Sequence, residues 1–229
     1  MKVVITGTSF GIGEAVAKKF VQHGHEVHGI DMYRPSPSVM NASQSDTCGT
    51  YTHYCMNIKD SKYLPDIKGV NILINNAGTQ ENDCIDVNLK ALIGVTEKYG
   101  LQEDIKSICN LASVSAHNGA EFGSYCASKG GVISYTRWTA KQIAKYNATC
   151  NSISFGGVET PLNQPVLSDD DLWFEIMEMT PLHKWVKPDE AATWIYFLTM
   201  INKSCTGQDI IIDNGEFYNH KFIWPGKEE

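Results

Sequence analysis

No stretch of the 229 residues approaches the roughly 20 consecutive apolar residues that a bilayer span requires. The apolar run near the start, Val3-Val4-Ile5, is also too short for the core of a secretory leader. The seven cysteines, at 48, 55, 84, 109, 126, 150 and 205, form no Cys-x-x-Cys pair and no Cys/His metal spacing. Their odd number does not suit a disulfide framework, and reduced thiols in a cytoplasm are expected instead. Positive charge is in the minority. The 19 Lys and Arg face 26 Asp and Glu, a net charge of −7, which argues against wrapping nucleic acid or lying on an anionic membrane. Repeats, low-complexity tracts and inter-domain linkers are missing too, so one domain spanning residues 1–229 is expected.

What is present is ordinary globular composition, 42% hydrophobic and 20% charged. A chain this long can bury roughly 70% of its unfolded surface and needs no disulfide or metal to stay folded. Short β-branched runs at 2–6, 26–30, 51–58, 70–74, 105–111, 149–154 and 208–213 read as strands. Helical spacing appears at 12–24, 84–99 and 123–146, after the acidic run Ser168-Asp169-Asp170-Asp171, and from Pro188 to about Met200. One or two turns fit 60–67, whereas the Pro- and Ser-rich stretch from Arg34 reads as a loop without a strong helix. Alternating strands and helices specify right-handed βαβ units. The expected fold is α/β, a doubly wound Rossmann domain with a seven-stranded parallel sheet covered by helices on both faces.

Thr6-Gly7-Thr8-Ser9-Phe10-Gly11-Ile12-Gly13 joins the first strand to the first helix. Glycine there allows a left-handed turn, close approach of a ligand, and tight helix–strand packing. The helix N-terminus then offers free N–H groups to a pyrophosphate. Asp31 ends the second strand, where an acid can accept hydrogen bonds from ribose hydroxyls and repel a 2′-phosphate. No Lys or Arg occurs among residues 8–10, and Arg34 is the only nearby cation. NAD is therefore the expected cofactor, with NADP disfavoured.

Tyr125-Cys126-Ala127-Ser128-Lys129 puts a phenol and an amine one turn apart on one helix face. An ammonium about 4–6 Å away favours phenolate and would make Tyr125 a usable acid/base. Ser113 lies 12 residues before Tyr125, and Asn88 sits inside the preceding helix, where Asn is locally unfavourable. With Asn75-Asn76-Ala77-Gly78, Thr206-Gly207-Gln208 and Asp213-Asn214-Gly215, the set resembles the short-chain dehydrogenase/reductase family over nearly the whole chain.

The resemblance implies a role for each of these positions. Tyr125 would exchange a proton with the substrate oxygen. Lys129 would bind the nicotinamide ribose and lower the Tyr pKa. Ser113 would hold the reacting carbonyl, and Asn88 would hold a relay water. Gly7, Ser9, Phe10, Gly11, Ile12, Asp31, Asn57, Ile58, Asn75, Ala77, Gly78, Val158 and Thr160 would contact the cofactor. Relatives that assemble as homodimers or homotetramers would do so through helices at about 84–100 and 123–146, where Tyr99, Trp138 and Ile143 can serve either an interface or the core.

Three features depart from the family pattern. Asn57 replaces an acid, Phe155-Gly156-Gly157 replaces Pro-Gly and suggests a more pliable loop, and the 79–85 segment is short, which suggests a more open mouth. Residues 161–187 should cover the reactive end. Leu172, Trp173, Ile176, Met177, Met179 and Trp185 there form either an apolar lid or ordinary packing. His117, His183 and Cys126 gain no catalytic role from spacing.

The expected activity is hydride transfer between nicotinamide and a secondary alcohol or ketone, in the manner of hydroxysteroid dehydrogenase/carbonyl reductases. The alternatives are a 3-oxoacyl thioester reductase and a dinucleotide-binding sensor without turnover.

Overall fold

A computed structural model describes residues 1–43, 48–80 and 82–218. Its strands are β1 (Lys2–Thr6), β2 (Glu26–Asp31), β3 (Thr50–Cys55), β4 (Ile72–Asn75), β5 (Ser107–Leu111), β6 (Thr149–Phe155) and β7 (Asp209–Ile212). All pair in parallel, in the order β3-β2-β1-β4-β5-β6-β7. Several strands are shorter than the apolar runs suggest. The third ends at Cys55, which frees Met56, Asn57 and Ile58 to line a cavity.

The central strands carry apolar residues on both faces because both faces are covered. Val3, Val4 and Ile5 are fully buried, with Val3 and Ile5 in one core cluster and Val4 in the other. The first cluster is closed by α1 (Gly11–Gln22), which buries Val16, Phe20 and Val21. Each such side chain contributes about 1.5–3 kcal/mol. α8 (Pro188–Tyr196) packs beside it through Ala191, Ala192 and Ile195.

Between β2 and β3 a short helix, α2 (Pro37–Ala42), stands where the sequence suggested only a loop. Pro37 starts it, and the Ser36 hydroxyl accepts from the Ser38 N–H, so local capping suffices although only Val39 is buried.

The second face is covered by α3 (Leu92–Tyr99) and α5 (Gly123–Ile143). Tyr99 and Ile143 are core residues there, whereas Trp138 is exposed and stacks on Tyr135. A π-helical stretch, Ile85–Ala91, leads into α3 and carries Asn88. Buried polar groups tie this face together. Asn75 Nδ2 donates to Thr96 Oγ1 and to Asn110 Oδ1, and Asn110 Nδ2 donates to Thr136 Oγ1.

Two short helices complete the order up to α7 in the segment after β6, once α4 (Ser115–Asn118) is placed between β5 and α5. They are α6 (Gln164–Leu167) and α7 (Asp170–Met179), the latter capped by the Asp169 carboxylate on the Leu172 N–H. Among the described residues, no helix is long and apolar enough to cross a membrane.

Candidate active site

The strand order reverses at β1, whose neighbours are β2 and β4, and a cleft opens there beyond the carboxyl ends of the strands. It is a cavity of about 430 Å³ that runs from Asp31 and Ile58 past the β1–α1 loop to Ser113, Tyr125 and Lys129.

The loop needs its glycines. Gly7 has φ +76°, and a Cβ on it would lie 2.7 Å from Asn76 Nδ2. A Cβ on Gly13 would lie 1.8 Å from Gly7 O, so α1 sits against the β1 turn as closely as backbone allows. Asp31 is held in place at the other end. One oxygen accepts from the Ser9 N–H at 2.9 Å and the other from the Tyr33 N–H at 3.0 Å. The loop's left-handed glycine, its open helix N-terminus and the anchored acid fit a dinucleotide's pyrophosphate and ribose.

At the opposite end, the Lys129 ammonium lies 5.6 Å from the Tyr125 ring centroid and donates to Leu111 O at 2.8 Å. Both groups are buried, and burial dominates their chemistry. It pushes the Tyr125 phenol well above its ordinary range, with the Glu121 carboxylate pushing further and interaction with Ser113 opposing. It also pulls Lys129 down to about 8, against the pull of Glu121. In the protein itself burial thus raises the Tyr125 pKa, where the resemblance implied a lowering by Lys129. The proton that leaves the pair most readily is the one on Lys129.

Most of the residues singled out from sequence line this one cavity: Gly7, Phe10, Gly11, Ile12, Asp31, Asn57, Ile58, Ala77, Gly78, Ser113, Tyr125, Lys129, Val158 and Thr160. Three do not. Ser9 is set aside because its N–H serves Asp31 and its hydroxyl donates to Tyr33 O. The Asn75 amide is spent on the core network rather than on the cavity. Asn88 is 1% exposed; its Oδ1 accepts from the Thr79 N–H and its Nδ2 donates to Thr79 O and Ser128 Oγ, which fixes the turn at Thr79.

The loop after β6 is held by close packing and a hydrogen bond. A Cβ on Gly157 would lie 2.0 Å from the Trp185 ring, and the Gly157 N–H donates to Glu216 Oε2 at 2.6 Å. The apolar lid is not formed over the cavity either. Ile176, Met177 and Trp185 pack with Val166, Leu167 and Trp173 in a cluster of their own. From residues 161–187, Leu162 and Asn163 line the cavity. The shortened 79–85 segment still borders it through Thr79, Gln80, Asn82 and Asp83, and Asp83 is tied to Lys59 at 3.0 Å. His117 is occupied by Asp209 at 2.7 Å.

Sequence reasoning missed Glu121, Ser115 and Glu216, because the four-residue α4 and the bends after it and after β7, too short to show a helix or strand period, bring them in. Burial, with Glu121 and Asp213 adding to it, raises Glu216 from 4.5 to about 7, and the Gly157 N–H opposes. The folded state thus keeps a proton that the unfolded chain releases. The resulting stability is full below pH 4.5 and is lost as pH rises through 7, about 3 kcal/mol in all. Glu216→Gln, which can still accept from Gly157, should flatten this loss. Thermal melts of the variant and the parent at pH 4.5 and pH 8 check it.

The family model described as "Enoyl-(Acyl carrier protein) reductase" matches residues 7–216. A 3-oxoacyl-[acyl-carrier-protein] reductase of Thermotoga maritima is 30% identical over 237 residues, covering 93% of this chain and 96% of its own. A 2-dehydro-3-deoxy-D-gluconate 5-dehydrogenase of Escherichia coli is 26% identical, with 93% of each chain covered. Among solved structures, a 4-hydroxyisoleucine dehydrogenase complexed with NADH superimposes with a TM-score of 0.83 at 26% identity, over 96% of this chain and 100% of that one. A dehydrogenase of Agrobacterium tumefaciens with bound NADP gives 0.86 at 25% identity, over 95% and 96%.

Proposed function

The chain belongs to the short-chain dehydrogenase/reductase family and is an NAD(P)-dependent oxidoreductase, and from that premise we propose that it interconverts a secondary alcohol and a ketone with NAD preferred. The single observation that carries the reading is the convergence of Ser113, Tyr125 and Lys129 at one end of the cavity that has Asp31 at the other. When bound, the nicotinamide ring supplies or accepts the hydride.

The rest is the work of this chain's own groups. Gly7, Gly11 and Ile12 would seat the pyrophosphate at the start of α1, and Asp31 would take the ribose hydroxyls. Asn57 and Ile58 would border the adenine, and Val158 and Thr160 the carboxamide. Tyr125 O–H gives its proton to the carbonyl oxygen during reduction and takes it back during oxidation. Lys129 would hold the second ribose and refill Tyr125, and its lowered pKa lets it pass a proton near neutral pH. Ser113 steadies the substrate oxygen. Asn88, through Thr79 and Ser128, keeps the cavity wall beside Lys129 in place. Residues 161–187 would form the substrate side of the single domain.

Exposed Trp138 on α5 supports assembly as a homodimer or homotetramer, and the seven thiols, none in a disulfide, suit a cytoplasmic setting.

A second reading, reduction of a 3-oxoacyl thioester, is favoured by the 30% identity to the Thermotoga enzyme. A panel of ketones, secondary alcohols and 3-oxoacyl thioesters, followed at the NADH and NADPH absorbance, tests both. Turnover of simple ketones with NADH is the expected result. Thioester turnover alone would replace the first reading with the second, and cofactor binding without any turnover would leave a sensor.

A further inference from the structure

Behind Ser113 the structure holds a chain of hydroxyls that ends on a carboxylate. Ser113 Oγ and Ser115 Oγ are 3.0 Å apart, and the Ser115 N–H also donates to Ser113 Oγ at 3.2 Å. The Ser115 hydroxyl in turn donates to Glu121 Oε1. Glu121 lines the cavity, and it acts electrostatically on Tyr125, on Lys129 and on Glu216. None of these links follows from a helix period. The turn after α4, with Gly119 at φ +66°, folds Glu121 back onto Ser115.

Hydrogen-bond bookkeeping along this chain has two solutions. An ionised carboxylate only accepts, so Ser115 donates to it and Ser113 donates to Ser115; the Ser113 oxygen, which also accepts from the Ser115 N–H, keeps one lone pair for Tyr125 or the substrate. A protonated Glu121 can donate to Ser115, which then donates to Ser113 and frees the Ser113 hydrogen to point into the cavity. A ketone oxygen needs a donor, whereas the hydroxyl of an alcohol bound beside a still-protonated Tyr125 needs an acceptor. We propose that Glu121 is a positioning residue that sets, through Ser115, whether the Ser113 hydroxyl donates to or accepts from the substrate oxygen. Protonation of Glu121 then favours bound ketone, and its ionisation favours bound alcohol. The inference rests on the alcohol/ketone reading above.

Other titrating groups face the same chain and set the background. Tyr125, Lys129 and Cys126 lie on α5, Cys84 lies before the π-helical stretch, Asp213 and Glu216 follow β7, and His117 on α4 is paired with Asp209. The test must therefore isolate Glu121. Unreactive ternary complexes serve: a ketone from the panel with NAD⁺, and its alcohol with NADH, their dissociation constants measured across pH by calorimetry. In the parent protein, ketone binding should tighten towards acid and alcohol binding towards alkali, by about tenfold, the worth of one oriented hydrogen bond. Ser115→Ala and Glu121→Gln should each lose this dependence while binding NADH normally, and Ser115→Thr should restore it.

Linkage supplies a readout free of turnover. If Glu121 protonation aids ketone binding, ketone binding must raise the midpoint at which Glu121 titrates. Carboxyl ¹³C NMR on glutamate-labelled protein reads this, with the resonance missing in Glu121→Gln giving the assignment. Unchanged pH dependences in Ser115→Ala, or a Glu121 midpoint indifferent to ketone, would overturn the inference alone. A parent protein that turns over no ketone or alcohol would overturn the reading beneath it instead.

Discussion

Tyr125→Phe is expected to lower kcat about 10³-fold while leaving NADH binding within about twofold, the loss that a positioned acid/base commands. The two side chains differ by one hydroxyl, and Tyr125 is only 8% exposed, so the phenyl ring fills the same space. Lys129 would hold its place because its bond goes to Leu111 O rather than to the phenol. Ser113 would hold because Ser115 and its N–H anchor it. What would disappear is the O–H proposed to pass a proton to the substrate oxygen. The pH profile of alcohol oxidation carries a second signature. In the proposed mechanism the pair must give up a proton before it can take one from the alcohol, and Lys129, drawn down to about 8 by burial, would give it up first. Oxidation should thus rise with pH and level off above about 8 in the parent protein. Steady-state kinetics and NADH fluorescence titration of both proteins check these outcomes, and ordinary turnover by the Phe variant would remove Tyr125 from the mechanism.

The positions that sequence reasoning placed well are those governed by a period or by a steric rule. The i, i+4 spacing of Tyr125 and Lys129 survives any detail of packing, because α5 is continuous across it. Gly7 and Gly13 were legible because no other residue fits where their Cβ atoms would go. The sheet followed from apolar runs that are buried on both faces. Other features depend on which way a polar side chain turns once tertiary partners exist. Asn75 and Asn88 carry amides that could face either the cavity or their neighbours in the fold; Thr96 and Asn110 take the first into the core, and the Thr79 backbone and Ser128 hold the second at the cavity wall. Trp173, Ile176 and Met177 show a true apolar face, but a face says nothing of its partner, and here that is the segment's own Val166 and Trp185. Glu121 and Glu216 were invisible for a related reason. Each sits in or after a turn, and only the closed fold brings its charge beside Tyr125 and Gly157.

Asp31→Asn should raise the ratio of kcat/KM for NADP to that for NAD by about 10²-fold, and the argument is electrostatic. A 2′-phosphate placed about 4 Å from a carboxylate meets a repulsion of about 4 kcal/mol for each unit charge at a partly screened site. The same carboxylate accepts from the ribose hydroxyls, at about 1.5–3 kcal/mol for a bond to a charged group. Removing the charge relieves the first and weakens the second, so both changes push the ratio the same way. Asparagine is chosen because the acid also supports the loop, through the N–H groups of Ser9 and Tyr33. An amide oxygen can keep one of those bonds, whereas alanine would release both and confuse discrimination with collapse of the β1–α1 turn. Arg34, three residues after Asp31, is the cation nearest to it in the sequence, so adding Arg34→Ala should take back part of the gain if that side chain attracts the new phosphate. Kinetics with both cofactors at fixed ionic strength decide the matter. A parent protein that already prefers NADP, or an Asn variant with an unchanged ratio, would show that the acid at the end of β2 does not select the cofactor.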